Sequence, residues 1–334
     1  MNLHESPKEF QDLIEAAAQY LNMRPVFIEK DYWVTYVLMN LSNSEQRDKV
    51  VFKGGTSLSK AYASIDRFSE DIDLAILSPD DYSAAKMKAL LKQVEKDCTT
   101  GLTLIPGHSS EVKFGRNRTT AYKYPRILNY TNFGIVKEYI LVEINCFTNP
   151  VPFKERKIQT YIAQFLNEQK DMQSISEFGL ESFSVNVLST ERTYFEKVLS
   201  VSRLSYNGGD ALKEKIRHFY DIHKLQNLPE LKNKMLTPEY FELLNAARED
   251  DENNLTMAGD WINNPISVSP LFSDLENTWA GIVPVYQKDL PELVWSATIP
   301  SPEEVLETLK ALKQFIIKFD EKFPPKFIVN NKKE

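Results

Sequence analysis

The sequence predicts an α+β protein: a mixed sheet with flanking helices, preceded by N-terminal helices and followed by a mostly α-helical C-terminal domain. Three observations carry this. Apolar residues repeat at helical spacing through the first 45 or so residues; short alternating segments bounded by Gly, Asn and Pro fill residues 50–150; amphipathic segments then resume. A length of 334 residues fits roughly two domains of about 150 residues. We place the boundaries at 1–48 for helices packed on the core, 49–150 for the core, and 151–334 for the mainly helical domain.

Along the chain, Ser6-Pro7-Lys8-Glu9 reads as a helix start, with Ser as N-cap and Pro at the first position. Phe10, Leu13, Ile14, Ala17 and Leu21 then share one face. A second helix runs from Pro25 to about Leu41, with Trp33, Val34, Val37, Leu38 and Leu41 together. From Val50 the period changes: "VVF" is a strand, Gly54-Gly55 a turn, "TSLSKAYASI" a helix and "DIDLAIL" a strand. Ser78-Pro79-Asp80-Asp81 starts a helix reaching about Asp97, and four strands follow: "LTLIPG", "SEVKFGR", "TAYKYPRIL" and "KEYILVEINCF". Beyond Pro150 come "KIQTYIAQFLNEQ", a short strand "FSVNVLS", a helix capped by Thr190, another after Gly208-Gly209, and amphipathic segments to about Lys322. The Pro-broken basic end is expected to be loosely held.

Bulk properties exclude several function classes. No apolar run approaches the roughly 20 residues that span a bilayer, and "MNLHESPKEFQ" is not a secretory leader, so we expect a cytoplasmic protein with no membrane partner. Cys98 and Cys146 make neither a disulfide framework nor, with four scattered His, a zinc spacing. A net charge of −7 argues against general polyanion binding. Residues 113–126 run against that balance: "KFGRNRTTAYKYPR" carries Lys113, Arg116, Arg118, Lys123 and Arg126 without an acid. Phe114, Tyr122 and Tyr124 are interleaved, a pattern that can neutralise phosphates and stack bases. It also fits a solvated, twisted hairpin.

"RFSEDIDLAIL", residues 67–77, is the most informative stretch. Alternate strand residues share a face, so Asp71 and Asp73 point together while Ile72, Leu74 and Ile76 point into a core. Two carboxylates that close repel unless a cation or proton intervenes, and Mg²⁺ takes one or two carboxylates plus substrate phosphates. "YILVEINCF" is a strand otherwise built for burial, and its Glu143 is a third carboxylate if the two strands are neighbours. Gly54, Ser59 and Lys60 nearly spell a phosphate-binding P-loop, but Ser59 replaces its second Gly and Ala61 its last hydroxyl. Gly-Gly-Thr after a strand and before a helix offers a different anion cradle. Gly54, Gly55, Thr56, Ser57 and Lys60 are its candidate nucleotide-binding residues. That loop followed by Asp-x-Asp on the next strand is the order of polymerase-β-type nucleotidyltransferases.

"KGGTSLSKAY…IDRFSEDIDL" closely resembles the AbiEii/AbiGii toxin family of nucleotidyltransferases, which includes the MenT toxins. "IEKDYWVTYVL" is similar to that family's opening helix, "STERTYFEKVLSVSRL" to its lysine motif and "IRHFYDIHKL" to its late aspartate motif. The resemblance covers about residues 25–225 and implies the toxin of a type IV toxin–antitoxin or phage-defence pair. It implies a polymerase-β-type core using NTP as co-substrate and Mg²⁺ (or Mn²⁺), with the tRNA 3′ end as acceptor and an AbiEi-like antitoxin, bound directly or acting indirectly. Gly55 and Thr56 would then bind phosphates, Asp71 and Asp73 the metal, Lys197 the triphosphate, and Asp221 would support the site, the C-terminal domain completing it. Glu143 as third carboxylate comes from strand position. Arg116, Arg118, Lys123 and Arg126 are the candidate RNA contacts. Taken alone, Lys197 reads as a helix-surface lysine beside Glu196 or Glu191, Asp221 as a partner of Arg217, and Lys30 and Asp31 as a structural pair. Two other readings remain: transfer to a small-molecule or protein hydroxyl, and a catalytically silent NTP-binding protein.

Overall fold

A computed structural model of the chain describes residues 1–77, 82–113, 115–128, 136–254, 260–296 and 298–325. It divides into two compact units, 1–188 and 189–334.

The first unit is built on a seven-stranded mixed sheet. Its strands are β1 (Val50–Lys53), β2 (Ile72–Ile76), β3 (Thr103–Leu104), β4 (Asn117–Lys123), β5 (Ile140–Asn145), β6 (Phe153–Ile158) and β7 (Phe183–Leu188), in the spatial order β3-β4-β5-β2-β1-β7-β6. β2 runs antiparallel to β1 and parallel to β5, and β1 runs parallel to β7. Ile72, Leu74 and Ile76 on β2, and Ile140, Val142 and Ile144 on β5, are fully buried, as the alternation predicts.

Helices α1 (Pro7–Leu21) and α2 (Pro25–Ser42) join this core through Phe10, Ile14, Trp33, Val37 and Leu38. α1 carries its apolar residues on one face. α2 is buried almost all round, as a central helix should be. Helix α3 (Gly54–Lys60) follows β1 without a separate turn, α4 (Ala84–Cys98) packs against α2 and β5, and α5 (Tyr161–Glu168) and α6 (Met172–Glu177) precede β7.

Several local expectations shift. Ser6 makes no side-chain cap, whereas Ser83 caps α4 and Ser189, not Thr190, caps the next helix. The start placed at Ser78–Asp81 lies outside the described residues. "SEVKFGR" contributes only a bridge from Val112 to Thr119. β6 was not predicted: "FKERKI" is exposed along most of its length, so it has no apolar alternation to betray it. With β7 it extends the sheet beyond residue 150.

The second unit is helical: α7 (Thr190–Leu204), α8 (Gly209–Lys213), α9 (Ile216–Gln226), α10 (Pro229–Lys232), α11 (Pro238–Asn254), α12 (Pro270–Ser273), α13 (Leu275–Asp289) and α14 (Pro302–Lys322). α7 packs on α9 and α11, with Phe195 stacked on Phe315 of α14. A capping box of Ser301 and Glu304 starts α14. Among the described residues no helix is long and apolar enough to cross a membrane.

Candidate functional site

Strand register assembles the carboxylates. Lys53 of β1 pairs with Asp73 of β2, Asp73 with Glu143 of β5, and Glu143 with Thr119 of β4. Residues directly opposite share a face, so these four form one row across the sheet, with neighbouring strands about 4.8 Å apart. Two ionised carboxylates at that spacing repel by roughly 3 kcal/mol at an effective dielectric near 20, which calls for a cation between or beside them. Asp71 sits one residue before β2, half-buried, and its Oδ1 lies 2.6 Å from Lys137 Nζ. Among the described residues, no three His, Cys, Asp or Glu converge closely enough to hold a metal alone. A divalent cation here would complete its shell with phosphate oxygens and water, as Mg²⁺ does. The donor set fits: hard carboxylate oxygens on rigid strands, with no thiol or imidazole among them.

The glycine loop touches this row directly. Gly54 has a φ of +80°, and a Cβ built on it would lie 2.0 Å from Asp73 Oδ2. At Gly55 a Cβ would meet Arg67 Nη2 at 2.8 Å and Ser69 Oγ at 2.9 Å. The missing side chains therefore make room for the protein's own carboxylate and for the 67–69 segment. Thr56 Oγ1 donates to the Asp71 carbonyl (2.5 Å) and lies within hydrogen-bond distance of the Ser69 hydroxyl (2.9 Å), and Ser57 Oγ donates to the Gly54 carbonyl (2.8 Å). Those hydroxyls brace the loop beneath the carboxylates, which leaves backbone N–H groups of the first turn as its anion donors.

Three consecutive residues of α2 secure the surroundings. Glu29 accepts from the Ile127 amide at 2.6 Å. The Lys30 ammonium donates to the carbonyls of Lys137 (2.6 Å) and Tyr139 and lies 3.2 Å from Glu70. Asp31 pairs with Lys60 and accepts from the Tyr161 amide at 2.8 Å. Lys30 and Asp31 thus each have a separate partner rather than each other. Burial pushes Asp31 and Glu70 up and Lys30 down, opposed in each case by the oppositely charged partner. For Lys137 burial also opposes the charge, but Asp71 outweighs it and holds the ammonium above the usual lysine range.

Two sequence-predicted residues, Lys60 and Arg118, are drawn inward, while Arg116, Lys123 and Arg126 stay exposed. Lys60, expected at the nucleotide, is spent on buried Asp31. Arg118, expected at RNA, is part-buried on Glu95, whose other oxygen accepts from Tyr122 at 3.0 Å. Arg116 donates to the Cys146 carbonyl at 2.8 Å, and Arg126 lies 3.6 Å from Glu138. Lys123 is exposed. Tyr122 and Tyr124 belong to the core and offer no stacking face, and Phe114 lies outside the described residues. Sequence reasoning missed Lys137, although 137, 139, 141 and 143 share a parity that puts Lys137 on Glu143's side of an extended strand.

In the second unit Lys197 of α7 and Asp221 of α9 form a buried pair at 2.8 Å, so two residues nominated separately turn out to be partners. A cavity of about 700 Å³, lined by His223, Leu236, Glu304, Phe315 and Lys318 among others, contains neither of them. Its apolar, mixed-charge wall is not triphosphate chemistry.

The chain matches a family model described as nucleotidyl transferase AbiEii toxin, type IV toxin–antitoxin system, over residues 36–314. No curated protein matches it. Among solved structures it is similar in fold to MenT4, the nucleotidyltransferase toxin Rv2826c from Mycobacterium tuberculosis H37Rv. The identity is 16% and the TM-score 0.53, with 93% of this chain and 95% of that one covered. The chain belongs to the AbiEii family: it is a nucleotidyltransferase toxin, with an NTP substrate, a divalent metal and an antitoxin as that family's attributes.

Proposed function

We propose that this AbiEii-family enzyme transfers a nucleoside monophosphate from NTP to an RNA 3′-hydroxyl, the acceptor end of tRNA, and so blocks translation in the cytoplasm. The observation that supports it is the register of Asp73 and Glu143 on adjacent strands, with Asp71 one residue upstream and the Gly54–Gly55 loop against Asp73. Asp71, Asp73 and Glu143 would hold Mg²⁺ (or Mn²⁺), which would supply Lewis acidity at the α-phosphate and lower the pKa of the attacking hydroxyl. Gly54 leaves the space that the Asp73 carboxylate occupies. First-turn amides of α3 orient the phosphates, and Glu143 accepts the proton of the attacking hydroxyl. The hydroxyl oxygen bonds to the α-phosphorus as the α–β bridging bond breaks, and pyrophosphate leaves. In the second unit the 2.8 Å pair supports a common role for Lys197 and Asp221, with Asp221 orienting the Lys197 ammonium.

One observation favours a second acceptor class. Arg118 is engaged with Glu95 within the protein, which thins the basic stretch and keeps a small-molecule or protein hydroxyl as the alternative, although Arg116, Lys123 and Arg126 stay exposed. Purified protein should be incubated with Mg²⁺, each α-labelled NTP in turn and total bacterial tRNA, beside Asp71→Ala and Asp73→Asn proteins. Label on tRNA with the wild type alone is the expected result. Label on the protein itself, or transfer surviving both substitutions, would overturn the reading.

A further inference from the structure

We propose that Lys137 is a stand-in cation for Asp71 that the divalent metal displaces and that then binds the phosphates of the NTP. The proposal rests on the metal-dependent reading above. Its geometry is specific. Lys137 Nζ lies 2.6 Å from Asp71 Oδ1, and the two side chains are 29% and 28% exposed, so the contact faces solvent. The backbone behind it is held from both sides. The Lys137 amide donates to both Glu70 oxygens at 3.1 Å, and its carbonyl accepts from Lys30 Nζ at 2.6 Å. Lys30 spends its three donors on two carbonyls and one carboxylate, and it and Glu70 are buried. A buried ion pair is thus used to fix one peptide, leaving a flexible four-carbon arm to move over Asp71.

An ammonium and a divalent ion on one carboxylate repel strongly, so the arm leaves when the ion arrives. The ion brings a triphosphate with it, which is the nearest new anion for a displaced lysine. Lys137 therefore opposes metal binding in the absence of nucleotide and assists nucleotide binding in its presence. A residue that merely braced the fold would do neither.

Mn²⁺ binding should be followed by the loss of its free-ion electron paramagnetic resonance signal, without nucleotide, for wild type, Lys137→Met, Lys137→Arg and Asp73→Asn. Lys137→Met should bind Mn²⁺ about two- to fivefold tighter, the range a partly exposed ion pair is worth. Lys137→Arg should stay near wild type. In transfer assays Lys137→Met should raise KM for NTP about tenfold or more while changing kcat less. Equal or weaker Mn²⁺ binding by Lys137→Met, with an unchanged thermal melt, overturns the role of Lys137 and leaves the metal reading intact. Mn²⁺ binding that Asp73→Asn does not weaken, or none by the wild type, overturns the metal reading and this proposal together.

Discussion

Replacing Gly54 by Ala adds a single methyl group at the most crowded point of the loop. The new Cβ would lie 2.0 Å from Asp73 Oδ2 and 2.9 Å from its Cγ, so the carboxylate must retreat by about 1 Å to restore contact distance. The φ of +80° adds strain of about 1–2 kcal/mol for a residue with a Cβ. In a unit of this size that corresponds to a fall in melting temperature of roughly 2–8 °C, which leaves the protein folded. The loss of activity should be far larger than the loss of stability. A 1 Å misplacement of a positioned group can cost about a hundredfold in rate, so kcat for transfer should drop by about that factor. Gly281→Ala serves as control: it lies inside α13 with nothing within 4 Å of its Cβ, and should be neutral or slightly stabilising. Transfer should be measured by pyrophosphate release, with circular dichroism melts on the same samples. The decisive comparison is a double-mutant cycle. In an Asp73→Ala background, Gly54→Ala should lower the melting temperature by less than it does in the wild type, because the carboxylate it clashes with is gone. Wild-type activity in Gly54→Ala, or an undiminished loss of melting temperature in the Asp73→Ala background, would refute the reasoning.

Breaking the buried Lys197–Asp221 pair with Asp221→Asn should cost about 3–5 kcal/mol by leaving the Lys197 ammonium without its carboxylate, measured by urea unfolding. The double change Lys197→Met, Asp221→Leu should recover much of that stability but no activity, and recovered activity would make the pair purely structural. Lys60→Met should destabilise the fold by leaving Asp31 unpaired, with KM for NTP unchanged in the fraction that folds. His223 is held below the usual histidine range by burial, with Glu304 opposing. The unfolded chain therefore takes up that proton more readily, and stability falls as pH drops through about 6.5. His223→Gln should flatten that fall, seen as a smaller change in urea midpoint between about pH 7.5 and pH 5.5.

The sheet core was legible because its residues obey a period. On β2 and β5 every second residue is a fully buried Ile, Leu or Val, and Asp73 and Glu143 are the half-buried positions between them, so their faces could be assigned before their adjacency was known. The α+β architecture and the family followed from the same stretch and from the motifs after it. What escaped was set by tertiary partners. β6 is an exposed strand whose charges carry no inward pattern. Within the basic stretch the partner of Arg118 was hidden, because Arg118 finds Glu95 only once α4 lies against the sheet. Lys60 read as a nucleotide-binding lysine because local spacing cannot see Asp31, 29 positions upstream. Lys137 was hidden for the same reason: its significance lies in the Lys30–Glu70 clamp.

The fan of Glu29, Lys30 and Asp31 also has a bearing on synthesis. A ribosome releases α2 long before its partners, since Lys60, Glu70, Ile127, Lys137 and the Tyr161 amide follow by as many as 130 positions. Burying three unpaired charges costs several kcal/mol each, so α2 cannot settle into its final place on the emerging chain. The nascent toxin consequently keeps its first helix pair in water until nearly half of its length has been made. A fragment started after residue 31 would likewise lack the clamp that holds the Asp71 neighbourhood. Competence for nucleotidyl transfer is therefore acquired late.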